Sequence, residues 1–168
     1  MTKRITISTL DAMKASGDKF VMITAYDATF ARLASEAGAE TILVGDSLGM
    51  VLQGHETTIP VSLDAMTYHT ECVARARPHS LIVADLPFMS FSNADDTLHA
   101  STRLMQAGAQ MVKLEGGIWL SDSIHRLVER GVPVCAHLGL TPQSVNVFGG
   151  YRVQGRTPKE AKSILADA

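Results

Sequence analysis

The feature that most constrains this chain is a fivefold alternation, in which a short apolar run is followed by a stretch with helical periodicity, repeated over 168 residues. Runs at 20–26, 41–45, 80–84, 110–114 and 133–136 are each short enough for a buried strand and carry β-branched or long apolar side chains. Strands separated by helices pair in parallel, because the crossover returns the chain to the same end of the sheet, so an α/β fold is expected. The helical segments carry readable ends. After Asp27 as N-cap, Phe30, Leu33, Ala34 and Ala37 fall at i, i+3, i+4 and i+7, an apolar stripe that Gly38 is placed to stop. Leu120, Ile124, Leu127 and Val128 repeat the stripe ahead of Gly131. Ser62 and Asn93 open two further helices, and Ser8 with Asp11 makes a capping-box-like start for a short helix ending at Gly17.

A parallel barrel of eight βα units takes ~250 residues, and five strands in this length is the density of roughly two-thirds of one. The segment 157–168 begins as a helix with Pro158 at its first position but has no Gly, Asn or Pro stop signal. One barrel domain over 1–168, cut at its C-terminus, is therefore the expectation. With 15 Lys and Arg against 17 Asp and Glu, no basic excess points to nucleic acid or to an anionic membrane. No segment approaches ~18 uninterrupted apolar residues, and no apolar stretch follows the basic N-terminus, so a cytoplasmic protein acting on small molecules is expected. Cys72 and Cys135 have neither metal-ligand spacing nor a disulfide framework and read as buried thiols.

In parallel α/β folds the active site forms at the C-terminal ends of the strands. The residues just past the five runs are Asp27, Asp46, Asp85, Glu115 and His137, an ionisable group at every position. A charge at the rim of a buried sheet needs water, a partner or a metal. Asp27 reads as a helix cap. Asp46 lies in Gly45-Asp46-Ser47-Leu48-Gly49, where glycines permit a tight turn and close approach of a ligand, and Pro87 after Asp85 stops the strand and fixes the carboxylate. Oxygen-only ligands on separate strands suit a hard cation such as Mg²⁺. Lys113 stands one alternation before Glu115, so both side chains face the same side of their strand. His137 reads either as a hydrogen-bond donor to substrate oxygen or as a strand-end cap. His55 lies on a polar loop that lines the mouth of such a site, while His69, His79, His99 and His125 read as surface residues. Trp119 and the eight methionines read as core or interface. The loop Phe148-Gly149-Gly150-Tyr151 falls over the same rim.

Gly45-Asp46-Ser47-Leu48-Gly49 also matches the G-x-S-x-G elbow of serine hydrolases, with Ser47, Asp85 and His137 in hydrolase order. An elbow needs a helix directly after the serine, and residues 50–60 read as extended or looped chain instead.

Taken in order, Ile23-Thr-Ala-Tyr-Asp27, Val44-Gly-Asp-Ser-Leu-Gly-Met50, Gln53-Gly-His55, Ala84-Asp-Leu-Pro-Phe-Met89, Val112-Lys-Leu-Glu-Gly-Gly117 and His137-Leu-Gly-Leu-Thr-Pro-Gln-Ser144 resemble the signature segments of the ketopantoate hydroxymethyltransferase family. Asn146-Val-Phe-Gly-Gly-Tyr151 and Val153-Gln-Gly-Arg156 extend the match over nearly the whole chain. The resemblance implies a (β/α)₈ TIM barrel of the phosphoenolpyruvate/pyruvate superfamily, with about five of its eight βα units in this chain. It also implies a homodecamer of pantothenate and coenzyme A biosynthesis that transfers a hydroxymethyl group from 5,10-methylenetetrahydrofolate to 3-methyl-2-oxobutanoate, through an enolate stabilised by Mg²⁺. Carried over residue by residue, Asp46 and Asp85 bind Mg²⁺ and Glu115 completes the metal environment. Asp46, Ser47, Asp85, Lys113 and His137 bind the 2-keto acid. The family's proton acceptor is a glutamate on the strand after the helix that begins near Pro158, past Ala168. No catalytic base is assigned here, and the chain alone is expected to bind metal poorly or not at all and to lack activity. The alternatives are a related Mg²⁺-dependent 2-keto-acid lyase or mutase, a serine hydrolase using Ser47, and an inactive fragment.

Overall fold

The structure, a computed structural model, describes residues 4–168. Five strands, β1 (Met22–Thr24), β2 (Thr41–Val44), β3 (Leu81–Asp85), β4 (Met111–Glu115) and β5 (Val134–His137), form one sheet in chain order. Every adjacent pair is parallel. Helices α1 (Ile7–Ser16), α2 (Ala28–Glu36), α3 (Leu48–Val51), α4 (Leu63–Arg75), α5 (Ala94–Gln106), α6 (Ser121–Glu129), α7 (Val145–Phe148) and α8 (Pro158–Asp167) complete the chain, with 3₁₀ turns at Ile118–Leu120 and Pro142–Ser144. All five expected strands are present. β3, β4 and β5 each run one residue further than the apolar pattern indicates, so Asp85, Glu115 and His137 are the last residues of their strands. No helix among the described residues is long and apolar enough to cross a membrane.

Strand geometry sends alternate side chains to opposite faces. Ile42, Val44, Ile82, Ala84, Val112 and Leu114 take one face and join Ala31, Ala34, Met66, Val73, Ala100, Leu104, Leu120 and Leu127 of the helical layer in a single core. The other face carries Leu43, Met111 and Lys113, which are only half-buried. β1 and β5 are the edges of the sheet, and the three residues of β1 are exposed.

The caps follow the local chemistry. Asp27, Ser62, Asn93 and Thr157 cap α2, α4, α5 and α8, each accepting a backbone N–H from the first turn. For α1 the cap is Thr6, two residues before the expected Ser8, because Thr6 and Thr9 close a reciprocal capping box. Gly17 ends α1 with φ 81°, as its lack of a side chain permits. Of the expected stripe of α2, Ala34 is buried, but Phe30, Leu33 and Ala37 are exposed and Ala31 takes the other inward position. Phe30 and Leu33 are 64% and 55% exposed, and the buried residues are Ala31 and Ala34. Small side chains let α2 lie close on β2 and α4, which turns the bulkier neighbours outward. Cys72 and Cys135 are half-buried rather than buried, the latter because β5 has a neighbour on one side only.

Ile82, fully buried at the centre of the sheet, and exposed Leu33 separate core from surface. Ile82→Ala is expected to cost about 2–5 kcal/mol and Leu33→Ala about 0.5 kcal/mol or less, read by urea denaturation; equal costs would contradict this packing.

Candidate active site

The parallel register gathers the expected residues. Asp85 pairs with Lys113, and Glu115 pairs with His137 on the next strand. Lys113 Nζ lies 2.5 Å from Asp85 Oδ1 and 4.0 Å from Glu115 Oε1, so lysine and glutamate do share one face. Asp46 follows β2 by two residues, and its backbone N–H donates to Asp85 Oδ2 at 3.2 Å. That approach depends on Gly45, where a Cβ would sit 2.8 Å from Ser47 Oγ and 3.4 Å from Asp85 Oδ2. Asp46, Asp85 and Glu115 are all buried, at 3%, 4% and 7% exposure. His137 Nδ1 meets Glu115 Oε1 at 3.1 Å; a carboxylate only accepts, so Nδ1 carries the proton. Asp27 is the N-cap expected of it, with Oδ1 receiving the N–H groups of Thr29 and Phe30.

Two residues with no assigned role complete the cluster. Gln143 donates through Nε2 to Asp46 Oδ2 at 2.8 Å and through its backbone N–H to Glu115 Oε2 at 2.9 Å. Tyr26 shares a hydrogen bond of 2.9 Å with Ser47 Oγ, and the Tyr26 carbonyl lies 2.8 Å from His69 Nδ1. His69 is therefore a half-buried support rather than a surface residue. Thr-Pro-Gln at 141–143 is the available signal for Gln143, since Pro142 opens the 3₁₀ turn that aims the glutamine inward. Nothing in the periodicity marks Tyr26.

Burial pushes Asp46 up from 3.8 to about 6, reinforced by the neighbouring Asp85 charge and opposed by the Gln143 hydrogen bond. Burial would lower Lys113, but Asp85, with Glu115 and Asp46 behind it, overcomes that and holds the ammonium above its ordinary value. Burial likewise raises Asp85 against the pull of Lys113. Burial also raises the Cys135 thiol, which leaves it a poor nucleophile. With all three carboxylates ionised and one ammonium, two negative charges stay uncompensated.

That excess, carried on hard oxygen donors, suits a divalent cation. Among the described residues no three His, Cys, Asp or Glu side chains stand at the mutual spacing of a metal cage. Both oxygens of Glu115 accept hydrogen bonds, from His137 and the Gln143 N–H, and both oxygens of Asp85 do so from Lys113 and the Asp46 N–H, whereas Asp46 accepts at Oδ2 alone among the described residues. Two carboxylates with water and substrate oxygens make up an ordinary Mg²⁺ set, so the residues fit the ion.

A cavity of about 150 Å³ adjoins the cluster, lined by Phe88, Met89, Phe91, Trp119, Ser92 and Ser144 with Glu115 and Gln143 at its inner side. Trp119 is exposed and stacks on Phe91 with ring centres 6.1 Å apart, a rim residue rather than core. Gly116 makes room for it, since a Cβ there would lie 2.6 Å from the indole. His55 is exposed on the loop after α3.

A four-residue helix, α3, does follow Ser47 directly, contrary to the looped reading of that stretch. The serine still finds no base. Its hydroxyl is bonded to Tyr26, Asp85 is bonded to Lys113, and His137 is bonded to Glu115. The three residues are not linked as a hydrolase triad.

The family described as ketopantoate hydroxymethyltransferase has a model that matches residues 4–168. Among curated proteins, 3-methyl-2-oxobutanoate hydroxymethyltransferase 2 of Pseudomonas aeruginosa is 60% identical over 164 residues, 98% of this chain and 62% of that protein. The 3-methyl-2-oxobutanoate hydroxymethyltransferase of Saccharophagus degradans is 54% identical over 168 residues, again 62% of its own length. The chain thus spans about three-fifths of these relatives. Among solved structures, phosphonopyruvate hydrolase with oxalate and Mg²⁺ superposes with a TM-score of 0.66 at 17% identity, over 93% of this chain and 66% of that one. 2,3-Dimethylmalate lyase, described as a PEP mutase/isocitrate lyase superfamily member, gives 0.63 at 15% identity, over 95% and 56%. These likenesses fix the architecture as part of a (β/α)₈ barrel, five strands with their helices.

Asp46 carries the sign of the pH dependence. A folded-state pKa above the unfolded 3.8 means that stability from the bound proton is full below that value and is lost as pH rises toward 6. Asp46→Asn removes the loss, so this variant, metal-free in EDTA, should be more stable than wild type by about 1–3 kcal/mol at about pH 7, with the difference vanishing near pH 4. Urea unfolding at both pH values measures it, and destabilisation at neutral pH would contradict the burial penalty.

Proposed function

The chain belongs to the ketopantoate hydroxymethyltransferase family, and we infer from that premise that its strand-end cluster is the 2-keto-acid half of a hydroxymethyl-transfer site. The protein would move a one-carbon unit from 5,10-methylenetetrahydrofolate to 3-methyl-2-oxobutanoate, giving ketopantoate for pantothenate and coenzyme A synthesis. The observation that carries this reading is the burial of three carboxylates, Asp46, Asp85 and Glu115, around a single ammonium. Asp46 and Asp85 would hold Mg²⁺, with Glu115 acting from the outer layer. When bound, the ion supplies Lewis acidity toward the ketone of the keto acid.

The chain's own residues do the rest. Lys113 supplies a positive charge, fixed by Asp85, for an oxygen of the substrate. Ser47, oriented by Tyr26, offers a hydroxyl at the adjacent strand end. His137, with its Nδ1 proton on Glu115, has Nε2 free to meet a substrate proton. The apolar cavity beside Glu115 and Gln143 takes the branched alkyl chain and excludes water from it. A cytoplasmic homodecamer with the keto acid and folate as its partners belongs to the same reading. Family membership favours the transferase over a related lyase or mutase, whose likeness here is one of fold.

Isothermal titration with 3-methyl-2-oxobutanoate tests the reading. Weak binding, in line with the poor metal affinity expected of the chain alone, is expected with Mg²⁺ and none in EDTA, and Asp85→Asn is expected to weaken it by about tenfold or more. Equal binding without metal, or none in either condition, would overturn the keto-acid site. A fluorophosphonate probe is expected to leave Ser47 unlabelled.

A further inference from the structure

We propose that Gln143 is the positioning residue of this site, holding the Asp46 carboxylate, from an anchor on Glu115, in the arrangement that accepts a divalent cation. The inference rests on the reading of the cluster as a metal site. It comes from the hydrogen bonds of one side chain.

Gln143 is 7% exposed and stands in the 3₁₀ turn Pro142–Ser144. The turn is itself fixed, with Ser144 N–H donating to the Thr141 carbonyl at 2.9 Å and Thr141 Oγ1 donating to Ser144 Oγ at 2.9 Å. From there the backbone N–H of Gln143 reaches the end of β4 at Glu115 Oε2. Its side chain crosses to the loop after β2, where Nε2 donates to Asp46 Oδ2, and to the residue after β3, where the same Nε2 donates to the Leu86 carbonyl at 2.9 Å. One residue thus ties three strand ends together.

The chemistry of those partners fixes the amide. Both acceptors of Nε2 are oxygens that cannot donate, so a rotated amide would set its own oxygen against a carboxylate and a carbonyl. The donor choice also matters for charge. Lys113 neutralises the carboxylate it touches, whereas an amide orients a carboxylate and leaves its negative charge available to a cation. Asp46 Oδ1 has no hydrogen bond among the described residues and remains for a ligand. Glutamine at this position therefore aims the free oxygen of Asp46 without consuming its charge, a task that neither lysine nor an apolar residue performs.

Gln143→Met keeps the side chain's length and removes both amide protons, while the backbone link to Glu115 stays. Mn²⁺ uptake followed by electron paramagnetic resonance on the 168-residue protein should weaken about 10- to 100-fold, with the thermal midpoint within a few degrees of wild type. Thr141→Val removes one of the two bonds of the turn but keeps the Gln143 amide, so its loss of Mn²⁺ affinity should be at least several-fold smaller than that of Gln143→Met. In ¹⁵N-labelled wild type, the Gln143 side-chain NH₂ resonances should broaden on adding Mn²⁺. Unchanged affinity in Gln143→Met, or an equal loss in Thr141→Val, would overturn the positioning role and leave the metal site standing. No Mn²⁺ uptake by wild type would overturn the metal site and the role together.

Discussion

The salt link from Lys113 to Asp85 is the interaction on which the rest of the site depends. It joins two adjacent parallel strands at paired positions, so it forms wherever the register of β3 and β4 is correct. Removing a charge from water is costly, and an ion pair repays that cost only with good geometry and further partners. Here the ammonium also faces Glu115, two residues along the same strand. Without it, three buried carboxylates would confront one another with neutral donors alone, and burial would drive them toward protonation. The lysine is thus what allows a strongly acidic pocket to exist inside a folded chain.

Around that link the molecule uses different ways of holding a carboxylate. Asp85 is held by charge, and Asp46 is held by a neutral amide. Glu115 is held by an imidazole and a backbone N–H. The three therefore differ in how much negative charge they keep for a ligand, although they are chemically alike. Burial raises both aspartates: Asp46, which has no ionic partner, is displaced upward to about 6, and Asp85 is raised as well because its burial outweighs the pull of Lys113, while Lys113 remains protonated.

Much of this is legible in the sequence because strand ends are topologically forced. Once the five runs are parallel strands, Asp46, Asp85, Glu115 and His137 have to fall at one end of the sheet, and the two-residue spacing has to put Lys113 beside Glu115. Helix caps at Asp27, Ser62 and Asn93 are equally local. What escapes depends on contacts far apart in the chain. Gln143 meets Asp46 across 97 positions, and Tyr26 meets Ser47 across 21, so no periodicity announces either. The stripe of α2 misleads for another reason: the residues that precede Ala31 and Ala34, Phe30 and Leu33, are apolar at the same helical spacing, and close approach to the sheet selects the smaller pair. At Ser47 the polar composition of the residues beyond Leu52 hides a single helical turn, which its position after a tight glycine turn makes possible.

The two faces of the sheet complete the argument. On the helix side the strands contribute apolar residues to a closed core, and no charge is found among them. The acid cluster occupies the opposite face, whose Leu43, Met111 and Lys113 are only half covered. Nearby water lowers the cost of keeping several charges there, but it also weakens every attraction they exert. A ligand that fills the cavity beside Glu115 and Gln143 displaces that water, and the same fixed groups then act in a medium of lower dielectric. Charges that are tolerable in the free protein become strong when the site is filled. The cluster is placed at the boundary of core and solvent, where both conditions are met.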